Sequence, residues 1–140
     1  MNNVNILFPV SVFFLFIIYF MFNPHKYEKT EYGLAYKHEM FKSQKHYMEK
    51  ITKNITHTPD KSEINRPTGI YVIYYYDNFS MNDIEIIKNN AKNLGWKDIA
   101  LPHEENIIHA SCNGNMAFNM YQDKQLKIAI SWRKHDHYCQ

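Results

Sequence analysis

IIHASCNGNMAFNMYQDKQLKIAISWR, the stretch from Ile107 to Arg133, decides the fold because it predicts three consecutive β-strands. Asn113–Gly114 is a preferred dipeptide for a tight hairpin, and Asp123–Lys124 turns the chain a second time. The last strand alternates apolar residues with polar Lys127, Ser131 and Arg133, so one face is buried and the other is wet. The three predicted strands are Ile107–Cys112, Met116–Tyr121 and Gln125–Arg133, and together they form an antiparallel meander.

Two further elements precede this meander. GIYVIYYY, Gly69 to Tyr76, is dense in β-branched and aromatic residues at both alternating positions, which predicts an interior strand covered on both sides. Ser80 stands three residues before Asp83 and opens an amphipathic helix over Met81–Leu94, which Gly95 ends. The order is strand, helix and three-stranded antiparallel meander, so the predicted fold class is α+β with a helix packed on a sheet.

The segment before the strand predicts a second helix and a linker. Apolar residues recur every seven positions from Leu34 to Ile55, which indicates an amphipathic helix of about five turns. His57–Gly69, with two prolines and many polar residues, predicts a linker. The expected organisation is a membrane anchor over residues 1–23, a stalk helix and linker over 24–68, and a compact α+β domain over 69–140.

ILFPVSVFFLFIIYFMF, Ile6 to Phe22, carries no charge and is long enough to cross a bilayer as one transmembrane helix. No small-residue cleavage pattern follows it, so we expect an uncleaved anchor. Lys26 and Lys29 follow the segment and no Lys or Arg precedes it; the positive-inside rule therefore places the rest of the chain in the cytoplasm. The cysteines argue for the opposite orientation.

The two cysteines, Cys112 and Cys139, are predicted to meet at one end of the sheet. Cys112 ends a strand just before the hairpin turn, and the last strand finishes at that same end, six residues before Cys139. The expected disulfide would place the domain in an oxidising compartment, which in a bacterium is the periplasm. The alternative is a pair of unbonded, small apolar side chains.

The composition limits the classes of partner. A formal net charge of +2 over 140 residues is too small for a nucleic-acid footprint, so we expect no nucleic acid. Aromatic residues make up 16% of the chain, which excludes a disordered charged tail as its main content. We therefore expect one folded domain beyond the anchor.

Several residues have the chemistry of catalytic or metal-binding groups without the required spacing. His135, Asp136 and His137 lie near Cys139, but no second ligand pair completes a zinc site. Adjacent Glu104 and Glu105 point apart, and neither has a predicted partner for acid–base catalysis. We expect neither metal nor cofactor.

Two further candidate sites, a catalytic nucleophile and a carbohydrate-stacking surface, have simpler explanations. Ser111 and His109 share a strand face, yet the glycines of a nucleophile elbow are missing. The tyrosines at Tyr71 and Tyr74–Tyr76 could stack on carbohydrate, although packing against the helix explains them more simply. We therefore expect a protein that is not an enzyme.

The apolar opening, the total length and the pair Cys112 and Cys139 together resemble the periplasmic immunity proteins that protect bacteriocin producers. The resemblance covers the layout of the whole chain and assigns no functional residue. It implies a domain held at the inner membrane that binds and inhibits the producer's own toxin. Toxins of the pesticin type degrade peptidoglycan as muramidases, so the implied mechanism is stoichiometric blocking of a muramidase cleft.

Such an inhibitor needs a rigid surface with aromatic and basic side chains that complement catalytic carboxylates. Residues in loops and at strand ends supply one candidate toxin-binding patch, with ordinary loop charges as the alternative explanation: Trp96, Lys97, Arg133, Lys134 and His135. Two competing classes share the same layout, namely a membrane-anchored accessory or assembly subunit of a cell-envelope complex, and a small envelope hydrolase.

Overall fold

The computed structural model describes residues 33–133 and Cys139. Six strands form one antiparallel sheet in the order β1-β2-β6-β5-β4-β3. The α+β class predicted from the sequence is therefore confirmed, with two more strands than expected. The elements are α1 (Leu34–Ile51), β1 (Asp60–Arg66), β2 (Gly69–Tyr76), α2 (Met81–Asn93), β3 (Lys97–Asp98), β4 (Ile107–Asn113), β5 (Met116–Gln122) and β6 (Leu126–Arg133).

The predicted meander is confirmed as β4, β5 and β6. Asn113 pairs with Met116, so the first turn consists of Gly114 and Asn115, one residue later than the predicted dipeptide. Gly114 has a φ of 58°, which glycine adopts without steric cost and which suits the first position of a type II′ turn. The second connection spans Asp123 to Gln125.

The segment predicted as a linker instead contains the edge strand β1. Asp60 to Arg66 pairs along its whole length with β2, and a two-residue turn at Pro67–Thr68 joins the two strands. The sequence DKSEINR contains one strongly apolar residue, Ile64, so it lacks the alternation that marks a half-buried strand. Charged residues on an edge strand discourage unspecific pairing with other chains, which explains this composition.

α2 begins at Met81 as predicted and ends at Asn93, one residue before the predicted end, with Leu94 as its C-cap. The Ser80 hydroxyl accepts a hydrogen bond from the Asp83 backbone N–H at 3.1 Å, and the Asp83 carboxylate accepts one from the Ser80 N–H at 2.8 Å. This reciprocal capping box satisfies backbone donors that the first turn leaves unpaired. Gly95, at a φ of 86°, follows the helix and allows the chain to reverse.

The helix predicted as a stalk is present, but from Lys37 onward it belongs to the compact unit formed by residues 37–140. Met48 and Ile51 are fully buried, and the Gln44 amide donates to the backbone oxygen of Ile70 at 3.3 Å. Leu34, which the seven-residue spacing assigned to the apolar stripe, is 83% exposed. The helix therefore forms part of the core layer rather than a spacer.

α1 and α2 cover the same face of the sheet. Asn90 of α2 donates hydrogen bonds to the backbone oxygens of Ile51 and Lys53, both at 3.0 Å, and so satisfies carbonyls at the end of α1. Burial of each large apolar side chain contributes about 1.5–3 kcal/mol. The core between helices and sheet comprises Met48, Ile51, Val72, Tyr74, Tyr76, Ile84, Ile87, Ala91, Trp96, Met116, Phe118, Met120, Leu126, Ile128 and Ile130.

The predicted disulfide between Cys112 and Cys139 is present, with the two Cα atoms 5.4 Å apart. It attaches the residue next to the C-terminal position of the sequence to strand β4. The predicted anchor, Ile6–Phe22, lies outside the described residues. Neither α1 nor α2 combines the length and apolar character needed to cross a bilayer.

Candidate functional site: the open face of the sheet

The face of the sheet opposite the helices is lined by the alternate residues of every strand. On β2 the core takes Val72, Tyr74 and Tyr76, which leaves Tyr71, Ile73 and Tyr75 on the opposite side. Strand pairing extends this side across the sheet to Lys127, Ser131 and Arg133 of β6. We call it the open face. β2 is thus an interior strand, as predicted, but the two described helices, α1 and α2, cover only one of its sides.

A trough runs across the open face because small residues on β6 lie between larger residues on its neighbours. Ser131 pairs with Tyr71 on one side, and Ala129 pairs with Ile73 and with Asn119 on its two sides. The trough encloses about 240 Å³. Its lining comprises Ile64, Arg66, Tyr71, Ile73, Asn119, Tyr121, Lys127, Ala129, Ser131 and Arg133.

Cations in the trough lie against tyrosine rings. The Lys127 ammonium is 4.4 Å from the centroid of the Tyr121 ring, and the Arg133 guanidinium carbon is 5.4 Å from that of Tyr71. Arg66 is a third cation, and the described lining contains no carboxylate. Cation–π contacts restrain these long side chains while leaving their hydrogen-bond donors available. The trough therefore presents positive charge on a partly ordered aromatic frame.

Tyr121 joins the trough to the loop between β3 and β4. Its hydroxyl donates to the Glu104 carboxylate at 2.9 Å. Burial, with the Glu104 carboxylate as the second cause, raises the pKa of Tyr121 to about 12. Tyr121 is therefore a neutral hydrogen-bonding group at physiological pH, and Glu104 serves as its acceptor rather than as an acid paired with Glu105.

The other end of the open face has a different charge. A wider depression of about 670 Å³ begins at Tyr121 and Lys127, and its lining includes the carboxylates of Asp77, Glu105 and Asp123. Arg66 and Arg133, in contrast, lie at the opposite ends of their strands. Lys124 and Lys127 also line this depression, so three carboxylates and two lysines lie at this end, whereas the described lining of the trough has cations and no carboxylate; the open face is thus polarised along the strands.

The structure separates the residues of the predicted toxin-binding patch. Trp96 is 3% exposed and packs edge-on against Tyr47 and Phe118, with ring centroids 5.5 and 5.7 Å away, so its assignment to a surface patch is wrong. Lys97 is exposed on the edge strand β3, three strands from Arg133 on β6. Arg133 is at the trough, and Lys134 and His135 lie outside the described residues.

The nucleophile candidates lie on the covered face. Ser111 is fully buried and its hydroxyl has no hydrogen-bond partner among the described residues, while the His109 ring packs against Phe118. The His109 Nε2 atom is 3.6 Å from the Asp98 carboxylate, and burial lowers the pKa of His109. Substrate cannot reach a hydroxyl at 0% exposure, so the structure does not favour Ser111 as a nucleophile.

The candidate stacking tyrosines lie on both faces of the sheet. Tyr74 and Tyr76 point into the core, as the packing explanation predicted, whereas Tyr71 lines the trough. Within residues 33–133 and Cys139, no three metal-binding side chains come together. The tail residues His135, Asp136 and His137 lie outside the described residues.

The chain matches no protein-family model, and its comparison with curated proteins and with solved structures finds no significant similarity.

Sequence reasoning missed most of the trough. The alternation in β6 already assigned Lys127, Ser131 and Arg133 to an exposed face, and Tyr71 was among the candidate stacking tyrosines without being linked to them. Arg66 was missed because its strand had been predicted as a linker.

Proposed function

We propose that the protein is an immunity protein that binds and inhibits its producer's own peptidoglycan-degrading toxin, a muramidase of the pesticin type, in the periplasm. The observation that carries this proposal is the trough, whose cations and tyrosines form a concave binding surface on a rigid sheet. Glycoside hydrolases of this class use a pair of carboxylates in a cleft. Arginine and lysine side chains complement such a cleft in charge and in hydrogen bonding.

Inhibition of this kind requires binding only. Tyrosine buries a large area with few rotatable bonds, so it contributes to an interface at a low cost in conformational entropy. Tyr71 and Tyr121 flank the small floor residues and would contact a convex loop or a cleft rim inserted between them. The toxin would be blocked because the sheet occupies the site of its glycan substrate.

The compartment is part of the same proposal. The disulfide between Cys112 and Cys139 supports an oxidising environment. Ile6–Phe22 would anchor the protein to the inner membrane and concentrate it where the toxin meets peptidoglycan. A reporter enzyme fused after Gln140 tests this orientation: activity of a periplasm-specific reporter supports it, and activity only of a cytoplasm-specific reporter contradicts it.

The direct test is to express the full-length chain in toxin-sensitive bacteria and to challenge them with muramidase bacteriocins. We expect survival with the cognate toxin, and Arg133→Glu should abolish it by placing a negative charge at the trough. Lys42→Glu is the matched control, because Lys42 is exposed on α1, on the helix layer. Equal survival of both variants would contradict a role for the trough; unchanged sensitivity with every toxin would contradict immunity.

The second candidate function is that of an accessory or assembly subunit of a cell-envelope complex. The observation in its favour is β1, which among the described strands pairs on one side only and so leaves one edge available to another strand. Co-purification of the full-length chain with envelope proteins, lost on Ile64→Pro and retained on Arg133→Glu, would favour this candidate over immunity.

A further inference from the structure

Two arginines occupy one cross-strand row of the open face, with a glycine between them. Arg66 of β1 pairs with Gly69 of β2, and Gly69 pairs in turn with Arg133 of β6. Neighbouring strands are about 4.8 Å apart, so the two arginine Cα atoms are separated by roughly 10 Å. Paired residues project to the same side of a sheet. The row therefore has a cation at each end and no side chain in the middle.

The ring of Tyr71 fills the space above this glycine. A Cβ atom placed on Gly69 would lie 3.1 Å from the Tyr71 hydroxyl oxygen and 3.2 Å from the ring carbon Cε2. It would also lie 3.0 Å from the backbone oxygen of Trp132, which cannot move aside. Gly69 thus allows the Tyr71 hydroxyl to lie between the two strands that carry the arginines.

Both guanidinium groups are exposed and line the same trough. Among the described residues, neither has a carboxylate within ion-pair distance; the ion pairs there join Lys45 to Glu63, Lys88 to Glu85 and His109 to Asp98. Placing two like charges in one row costs free energy unless an anion bridges them. The forked donors of arginine match the two oxygens of a carboxylate.

We propose that Arg66 and Arg133, with the Tyr71 hydroxyl between them, form a binding site for a carboxylate side chain of the toxin. This inference rests on the proposed function, because it assigns the partner's group to the same trough. The carboxylate accepts hydrogen bonds from both guanidinium groups and from the tyrosine hydroxyl. The opposite end of the open face has three carboxylates and two lysines, so it is less favourable for a second acidic group and the site favours one orientation of the toxin.

The affinity of the full-length protein for its toxin, measured by calorimetry in detergent micelles, tests the arginine pair. We expect Arg66→Gln and Arg133→Gln each to weaken binding by about tenfold or more. The double variant should lose less than the product of the two single losses, because both arginines hold one group. Arg133→Lys keeps the charge and loses the fork, so its affinity should fall between those of Arg133 and Arg133→Gln. Lys42→Gln is the matched control and should bind normally.

A second measurement separates failure of this site from failure of the immunity proposal. The arginine side-chain N–H signals of the full-length protein are followed by NMR while an acetylated, amidated Gly-Glu-Gly peptide is added. We expect the Arg66 and Arg133 signals to shift together, and the shift of each to be lost when the other is replaced by glutamine. The same peptide with glutamine in place of glutamate should cause no shift.

The outcomes are distinct. Toxin binding that is unchanged in the double glutamine variant overturns the two-arginine site and leaves the immunity proposal standing. Shifts with the glutamate peptide, but no neutralised toxin, overturn immunity and retain the carboxylate site. Inorganic phosphate that shifts both signals at lower concentration than the peptide overturns the assignment to a carboxylate. Tighter binding of peptidoglycan fragments with free stem-peptide carboxylates than of the toxin overturns the assigned source.

Discussion

The two faces of the sheet are built from alternate residues of the same strands, yet they differ in almost every physical property. The covered face presents large apolar side chains to α1 and α2 and is closed to solvent. The open face has small residues along its centre, tyrosines beside them and cations at its rim. A shift of one residue in register would exchange the two sets, so the pairing that stabilises the core also determines which residues line the open face.

The largest test of this difference is a pair of neighbouring substitutions on β5. Phe118 faces the helices and is fully buried, so Phe118→Ala should lower the free energy of unfolding by about 3–5 kcal/mol. Asn119 faces the trough, and Asn119→Ala should change the same quantity by less than about 1 kcal/mol. Urea denaturation of both variants measures the contrast. Similar losses for the two would mean that the open face is also part of the stabilising core.

The disulfide is expected to have the next largest effect on the free energy of unfolding. Cys112 and Cys139 are 27 residues apart, and the chain-entropy estimate for a loop of this length is about 3.5 kcal/mol. Replacing both by alanine should therefore lower the unfolding free energy by about that amount. Reductant should lower the stability of the wild type to the level of the double variant. A reductant effect on the double variant itself would show that another cause is responsible.

The cap of α2, a helix that packs on the covered face, is expected to have a smaller effect on the free energy of unfolding. Ser80→Ala removes the acceptor for the Asp83 N–H, and it should cost about 1 kcal/mol of unfolding free energy. Ser80→Thr keeps a hydroxyl in the same place and should retain most of the stability. The two variants are compared by thermal denaturation. Equal losses would assign the effect to packing at residue 80 instead of the capping box.

The smallest expected effect concerns protonation beneath the helices. Burial lowers the pKa of His109 below its ordinary value of 6.5, whereas Asp98 partly opposes this shift. The unfolded chain therefore binds the proton more readily, and stability should fall as pH decreases below about 6.5. Denaturation midpoints of the wild type and His109→Gln, measured between pH 7 and pH 5, should converge on acidification. A constant difference would remove His109 from the pH dependence.

The sequence was sufficient for elements whose signals are local. The turn glycine at Gly114, the Ser80 and Asp83 pair and the alternation in β6 each act within a few residues. Each predicted its element, although the hairpin turn lies one residue later than Asn113–Gly114. The sequence did not predict β1, because an edge strand is stabilised by its neighbour's backbone and needs no apolar alternation of its own. The stalk helix was assigned to a separate region for a related reason, since its partner strands lie later in the chain.

The candidate site was harder to predict than the fold. Its position at a strand end predicted Arg133 as a site residue, and Arg133 lines the trough. The loop position of Trp96 predicted an exposed aromatic, but its side chain fills the core. Gly69 and Arg66, which share a row with Arg133, lie one and two strands away from β6, on the side opposite its meander neighbours. Nothing in a linear pattern brings these residues together; only the pairing of β2 with β6 does so.

That pairing joins the earliest part of the sheet to its last strand and has a kinetic consequence. The β1–β2 hairpin and the β4–β5–β6 meander each close over short loops, whereas the contact between Gly69 and Arg133 closes over a long one. Non-local strand pairing is the slow part of folding. The row of Arg66, Gly69 and Arg133 crosses the pairing of β2 with β6, so we expect this row to be absent from partly folded chains. A newly made molecule would therefore form the proposed carboxylate site only when its two half-sheets join.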